Sequence, residues 1–491
     1  MRLMLAFLVF VSLGLVAALA TTAQPNCCIS IQSPITHIVI IDQENRSFNN
    51  IFMGLPGATT ASTYTDPQGN VWPVSPMGLT QAYPSQSPDA YDPNHENNGF
   101  VADCNNGGGL STCPMNGFNS NGCDDGQVTC ASTCPTPTPI TYVAPTPSSA
   151  NLCVIAAIPR PQVSPYWEMA AQYAVGDETF QTNQGPSFPA HNYLLAASSS
   201  LSAGSLISVR DNGSLGEDGQ GHMGCDSPPG TTVPTINITT GAHSTTFPCI
   251  GITSILNELD AAGLTWQHYN YQPNTPYWDN LWTSPDGFSQ YGCTYGASVP
   301  TCPAEFLANV ITPPSKFLTN LGTCGNLANV TWITPTGKAS DHAYITDGSG
   351  PAWVLSVVNA IGNSCYWNST AVIVLWDDWG GWYDPIAPTM HNYYENGFRL
   401  PFIVISPYTT AGYVSHVTRN AYGSVLQFIE STFLLPSLEN ADAYSDADNL
   451  HDFFSFNQYP RSFSTLSYTG KFTRKWFIAT MPHDHTIPDK E

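Results

Sequence analysis

Two runs of continuous apolar, mostly β-branched residues limit the fold of this chain more than any other feature. Residues 35–41 read ITHIVII and residues 371–376 read AVIVLW, and each run ends on acids: Asp42 and Glu44 after the first, Asp377 and Asp378 after the second. Apolar runs of this length without polar alternation are strands covered on both faces, as in parallel sheets sandwiched by helices. In such sheets ligands collect beyond the carboxyl ends of the strands. The acids therefore stand where a site is expected.

Other segments extend the same pattern. Residues 401–406 (PFIVIS) and 152–158 (LCVIAAI) read as further strands. Residues 252–262 (ITSILNELDAA) carry apolar residues at helical spacing and stop at Gly263, a suitable C-terminal cap. Residues 352–361 and 424–435 read as two more helices, and residues 165–174 as the start of another. Strands alternating with helices predict an α/β fold with helices on both faces of the sheet. Residues 56–150 are dominated by Pro, Gly, Asn, Ser and Cys and read as one long insertion.

Arg2, the apolar run 3–19 and the small residues after it read as an export signal spanning 1–23, leaving residues 24–491 as a single domain. A membrane anchor is the competing reading, but Gln24-Pro25-Asn26 ends the run and no basic cluster follows. No later segment has the unbroken apolar length of a spanning helix, so stable membrane insertion is not expected. The expected location is secreted, extracellular or periplasmic. Thirteen basic against 36 acidic side chains give a formal charge of −23, which excludes a nucleic-acid partner, because a phosphate backbone needs Lys and Arg to replace its counterions. The 14 cysteines would meet oxidising conditions after export, so disulfides are expected to staple the loops. Zinc is the competing reading for the cluster Cys104, Cys113, Cys123, Cys130 and Cys134, but no repeated C-x-x-C and no histidine lie there.

Four constellations carry chemistry. Glu44 and Asn45 are adjacent oxygen donors after the first strand. Asp377 and Asp378 are paired acids after the second, and like charges side by side disfavour ionisation unless a cation sits between them. Carboxylates and amide oxygens suit hard divalent cations. The Gly380-Gly381 pair that follows lets the backbone turn tightly. Ser187 lies between Pro186 and Pro189 on a rigid loop and becomes a nucleophile when activated, metal coordination being one route. His342, in Ser340-Asp341-His342, and His95, in Asp92-Pro93-Asn94-His95, are candidates for general acid or phosphoryl-oxygen contacts.

Taken in order, these segments resemble the bacterial phospholipase C and acid phosphatase family of the alkaline-phosphatase-like superfamily. DQENRSFNNIFMG resembles the family's ENRSFDHYFG box, and YDPNHENNGF resembles its D-x-x-H segment. The stretch around QGPSFPAHNYL resembles the segment carrying G-P-[ST]-x-P-N-R. SDHAYITDGSG, AVIVLWDDWGGWYDPIAP, RLPFIVISPY, GYVSH and SVLQFIE follow in family order. The resemblance runs from about residue 35 to residue 462. It implies an alkaline-phosphatase-like central, mostly parallel sheet flanked by helices on both faces, with disulfide-stapled loop insertions. It implies that Glu44, Asn45, Asp377, Asp378 and the oxygen of Ser187 hold one or more divalent metal ions, that Ser187 is the nucleophile, and that His342 and His95 face the phosphoryl oxygens or protonate the leaving group. The implied activity is hydrolysis of a small phosphate ester or phospholipid, as a diester or a monoester.

Some positions depart from the family pattern. Its Y-D-H is Tyr383-Asp384-Pro385 here, its Asn-Arg after the nucleophile is Ala190-His191, its Asp-His before the 424–435 helix is Ala421-Tyr422, and Asn49-Asn50 replace another Asp-His. His191 is expected to bind substrate in place of the arginine. The alternatives are a catalytically silent exported binding protein on the same scaffold, supported by the missing histidines, and a sulfatase-like hydrolase, since Ser187 to His191 resembles C/S-x-P-x-R without its arginine. The aromatics Trp379, Trp382, Tyr383, Tyr393 and Tyr394 are candidates for an apolar rim facing a lipid.

Overall fold

Strands β1 (His37–Gln43) and β6 (Thr370–Trp376) form the centre of one eight-stranded sheet. The computed structural model describes residues 33–80, 92–110, 112–121, 152–213, 222–271, 273–278, 281–322 and 324–486. The expected export signal, and Cys123, Cys130 and Cys134 of the insertion, lie outside the described residues. The other strands of the sheet are β2 (Ala174–Gly176), β3 (Trp266–Tyr269), β4 (Val310–Ile311), β5 (Val330–Ile333), β7 (Phe402–Ile405) and β8 (Tyr413–Ser415). Their order is β4-β3-β5-β1-β6-β7-β2-β8, and only β7 runs against the rest. The mostly parallel sheet is thus present.

Alternate residues of β1 face opposite layers, as the pleat requires. Ile38 and Ile40 pack into a core with helices α3 (Ser187–Ala196), α4 (Ile255–Ala261) and α6 (Ala421–Phe433). Val39 and Ile41 pack into a second core with α1 (Phe48–Phe52), α2 (Ser164–Gln172) and α5 (Gly350–Gly362). Each fully buried Val, Ile or Leu contributes about 1.5–3 kcal/mol, so the two-sided cover explains why these strands tolerate no polar alternation. Helix ends follow local chemistry. Ser254 and Asn257 form a capping box at the start of α4, and Gly263, at φ +69°, ends it. Asn420 accepts from Gly423 N at 2.9 Å and starts α6 three residues before the expected Ser424.

One expected strand is largely absent. Of residues 152–158 only Ala156–Ala157 are extended, paired with Ser75–Pro76 outside the main sheet. Leu152, Val154 and Ile155 instead bury their side chains in a separate cluster with Tyr64, Trp72 and Phe118 of the insertion. Among the described residues, disulfides join Cys104–Cys113, Cys225–Cys249, Cys293–Cys302 and Cys324–Cys365. Cys104–Cys113 closes the described part of the cysteine cluster as a covalent staple, not as metal ligands.

Candidate active site

The register of the two central strands assembles the site. His37 lies opposite Thr370 and Gln43 opposite Trp376, so the strands end level. Asp377 N donates to Gln43 O at 3.0 Å, which carries the pairing one step further and sets Glu44 beside Asp377. The chain then turns sharply on both sides. Asn45 adopts φ 41°, a left-handed conformation that asparagine tolerates. Gly380 stands at φ +62°, where an added Cβ would lie 2.2 Å from Asn45 O, and a Cβ on Gly381 would lie 2.5 Å from Pro93 Cβ. The glycine pair therefore lets the Asp377–Asp378 turn touch both the Asn45 turn and the loop bearing His95. Asp378 N donates to Asp377 Oδ1 (2.8 Å) and Gly380 N to Asp378 Oδ1 (2.6 Å), which fixes the paired carboxylates.

Ser187 enters from the other layer as the first residue of α3, with Pro186 as its N-cap. The expected rigid loop is the start of a helix. Asn212 reaches over and accepts from Phe188 N at 2.8 Å, supplying the side-chain cap that Pro186 lacks. Ser187 Oγ lies 3.4 Å from Asp378 Oδ2. One turn further along α3, His191 points its Nε2 between three carboxylates: 3.6 Å from Asp42 Oδ2, 3.6 Å from Glu44 Oε1 and 3.7 Å from Asp377 Oδ2. Its Nδ1 lies 3.0 Å from Ser284 Oγ. The ring assigned to substrate thus sits inside the carboxylate cluster. Asp42, which the sequence reading mentions without a role, belongs to the same cluster.

All of these side chains are buried. Burial, and then the charges of Asp378 and Asp42, push the Asp377 carboxyl well above the usual range, and burial with Asp378 does the same to Asp42. Burial and the nearby His268 lower His191 to about 3, so its ring is neutral near pH 7. Both oxygens of Asp42, Asp377 Oδ2, Asn45 Oδ1 and His191 Nε2 have no hydrogen-bond partner in the structure. Buried polar atoms left in this state are costly. Acceptors converging without donors are the set that a cation completes, and Glu44, His191 and Asp377 each offer a ligand atom within 4.8 Å of the others. The residues present fit a divalent ion.

The two candidate histidines differ in their bonding. His95 Nδ1 lies 2.8 Å from Pro93 O, and its Nε2 lies 2.9 Å from Asn45 Nδ2. His342 Nδ1 contacts Ala343 O and lies 3.4 Å from Asp92 Oδ2, and the two imidazoles meet edge to face at 5.6 Å between centroids. The departures from the expected pattern have structural roles. Tyr422 OH donates to the backbone oxygen of Asp377, and Asp384, which the pattern keeps beside the departing Pro385, takes a two-pronged salt bridge from Arg399 (2.7 and 3.0 Å) and accepts from Asn49 N at 3.1 Å. Trp379, Trp382, Tyr383 and Tyr394 are all buried, so these four are packing residues and form no exposed lipid-facing rim.

Comparison with known proteins gives three findings. A family model described as the Phosphoesterase family matches residues 35–436. The Non-hemolytic phospholipase C of Pseudomonas aeruginosa is 27% identical over 40% of this chain, and Phospholipase C A of Mycobacterium tuberculosis is 26% identical over 42% of it. Those matches span 32% and 43% of the two relatives. Among solved structures, a protein in the alkaline phosphatase superfamily from Vibrio parahaemolyticus aligns at 14% identity and a TM-score of 0.31, covering 56% of this chain and 60% of that one.

Proposed function

This chain belongs to the phosphoesterase family, and from that premise we propose that it is an exported, metal-dependent hydrolase of phosphate esters with Ser187 as its nucleophile. The observation that carries the proposal is Ser187 Oγ at 3.4 Å from Asp378 Oδ2, beside a buried cluster of acceptors without donors. Glu44, Asn45, Asp377, Asp378 and Ser187 would hold the cation. When bound, a divalent ion supplies Lewis acidity, lowering the pKa of a hydroxyl and neutralising phosphoryl charge.

The chain's own residues divide the remaining work. Ser187 Oγ passes its proton to solvent and attacks phosphorus, and the bond from phosphorus to the leaving oxygen breaks with that oxygen keeping the electron pair. His342, held at Nδ1 by Ala343 O and facing Asp92, protonates that oxygen. Water then attacks the phosphoserine, releasing phosphate from a monoester or a phosphomonoester from a diester, and restores the hydroxyl. His95 is a positioning residue that turns Asn45 Oδ1 toward the carboxylates. The disulfides and the apolar run 3–19 support export, and no helix among the described residues is long and apolar enough to cross a membrane.

The test is hydrolysis of p-nitrophenyl phosphate and p-nitrophenyl phosphorylcholine, with and without EDTA. Turnover of one or both esters is expected, with loss on chelation, and the preferred ester separates monoester from diester chemistry. Ser187→Ala should lower turnover by at least about 10³-fold while leaving the unfolding midpoint in place. Near-normal rates in that variant would remove the nucleophile assignment, and a wild type inert toward both esters would remove the hydrolase reading.

A further inference from the structure

The ligands named above use only part of the donor set. Four carboxylates, Asp42, Glu44, Asp377 and Asp378, are each no more than 1% exposed and converge at the strand ends. Both oxygens of Asp42 and Nε2 of His191 lie buried there with no hydrogen-bond partner, a costly arrangement. Asp42 and His191 are the donors that the single-ion reading does not use.

Their geometry is informative. His191 Nε2 is nearly equidistant, at 3.6, 3.6 and 3.7 Å, from oxygens of Asp42, Glu44 and Asp377. These distances exceed the 2.7–3.2 Å expected of a nitrogen–oxygen hydrogen bond, so the imidazole is not bonded to any of the three. Four donors about 2.1 Å from a common tetrahedral centre stand about 3.4 Å apart, close to the spacing seen here. His191 Nδ1 is engaged by Ser284 Oγ at 3.0 Å. With Nδ1–H given to that hydroxyl, Nε2 keeps its lone pair for the centre of the cluster. A second imidazole lies on the same sheet face. His268 continues the row Ile40–Trp332–His268 across β1, β5 and β3, is buried, and has no hydrogen-bond partner at either ring nitrogen.

We propose that Asp42 and His191, together with Glu44 and Asp377, form a second cation position beside the one assigned to Asn45, Ser187 and Asp378. Glu44 and Asp377 are shared between the two. A site with a nitrogen donor suits Zn²⁺ or Co²⁺ rather than Mg²⁺ or Ca²⁺, which favour oxygen alone. The proposal rests on the metal-dependent reading of the preceding subsection, and its test separates the two.

The full chain is stripped with a chelator and titrated with Zn²⁺, and bound ions are counted by native mass spectrometry and calorimetry. The wild type should bind two equivalents. Asp42→Asn and His191→Gln should each keep one, held by the unaltered Asn45, Ser187 and Asp378. A single equivalent in the wild type, or two in both variants, overturns the second position and leaves the first intact. No bound zinc in the wild type overturns both. Should either variant fail to fold, the Co²⁺-loaded wild type decides: a strongly shifted, exchangeable imidazole N–H proton from a ligating histidine is expected in its proton spectrum, and its absence overturns the assignment.

Discussion

The hydrogen bond between Asn45 Nδ2 and His95 Nε2 decides which way the asparagine faces. Pro93 O can only accept, so His95 Nδ1 carries the proton at that 2.8 Å contact and Nε2 carries the lone pair. Nε2 therefore accepts from the amide nitrogen, and Asn45 Oδ1 turns inward. His95→Ala is expected to weaken divalent-ion affinity by about 10–100-fold, and His95→Gln to recover most of it, because a glutamine oxygen can accept the same hydrogen bond. A general acid would behave differently: either variant would slow esters with poor leaving groups and leave metal affinity unchanged. Metal titration followed by thermal shift distinguishes the two. At this scale much of the candidate site is legible in the sequence. Asp377 and Asp378 stand directly after one apolar run and Glu44 shortly after the other, where acids have no core role, and Asn45 is a further oxygen donor beside Glu44. Asp42 carries the same signal, but nothing in the sequence gives it a role, and only the continuation of β1 through it to Gln43 turns it into the cluster. Asn212 and Ser284 left no trace in the sequence, since their roles depend on contacts with α3 from distant segments.

Elements with continuous apolar composition or clear helical spacing are legible in the sequence, and strands of mixed composition or of three residues are not. β1, β6 and β7 are continuous apolar runs, and α5 and α6 show helical spacing of apolar residues. β3 reads WQHY, and β2 and β8 have three residues each, too few to show a period. Their places in the sheet come from pairing between residues far apart in the chain. The turn at Gly380 shows how local geometry links elements. Gly380→Ala should destabilise the fold by about 1–3 kcal/mol and reduce metal affinity, because its Cβ collides with Asn45 O and displaces the donor loop. Gly263→Ala is the control. It has a similar positive φ but nothing within 4 Å of the added Cβ, so only backbone strain of about 1 kcal/mol is expected, with metal affinity unchanged. Urea unfolding with a parallel metal titration measures both variants, and equal effects at the two glycines would show that the contact with Asn45 is unimportant.

For the whole molecule, buried acids determine how stability depends on pH. Burial holds Asp103 and Asp286 well above the usual carboxylate range, and it raises Asp341 to about 7 and Glu430 to about 8. Unfolded carboxyls have lost their protons by about pH 5. Between pH 7 and 9 the folded chain therefore binds more protons than the unfolded chain, and stability must fall as pH rises. Each carboxyl still protonated in the folded state contributes a loss of about 1.4 kcal/mol per pH unit. Below about pH 6.5 the slope is opposed, because His37, His191 and His268 are lowered by burial and favour folding only as their unfolded counterparts lose protons. Asp66 and Asp446, held below the usual range, have completed their contribution by pH 5 and add no slope above it. The clean window is therefore pH 7 to 9, with EDTA present so that metal binding does not contribute. In that window Tm should decline steadily, and Glu430→Gln should reduce the decline by removing one titrating group. A Tm that is flat or rising from pH 7 to 9 would mean that these carboxyls are already ionised in the folded chain, compensated by charges or water reaching them in solution.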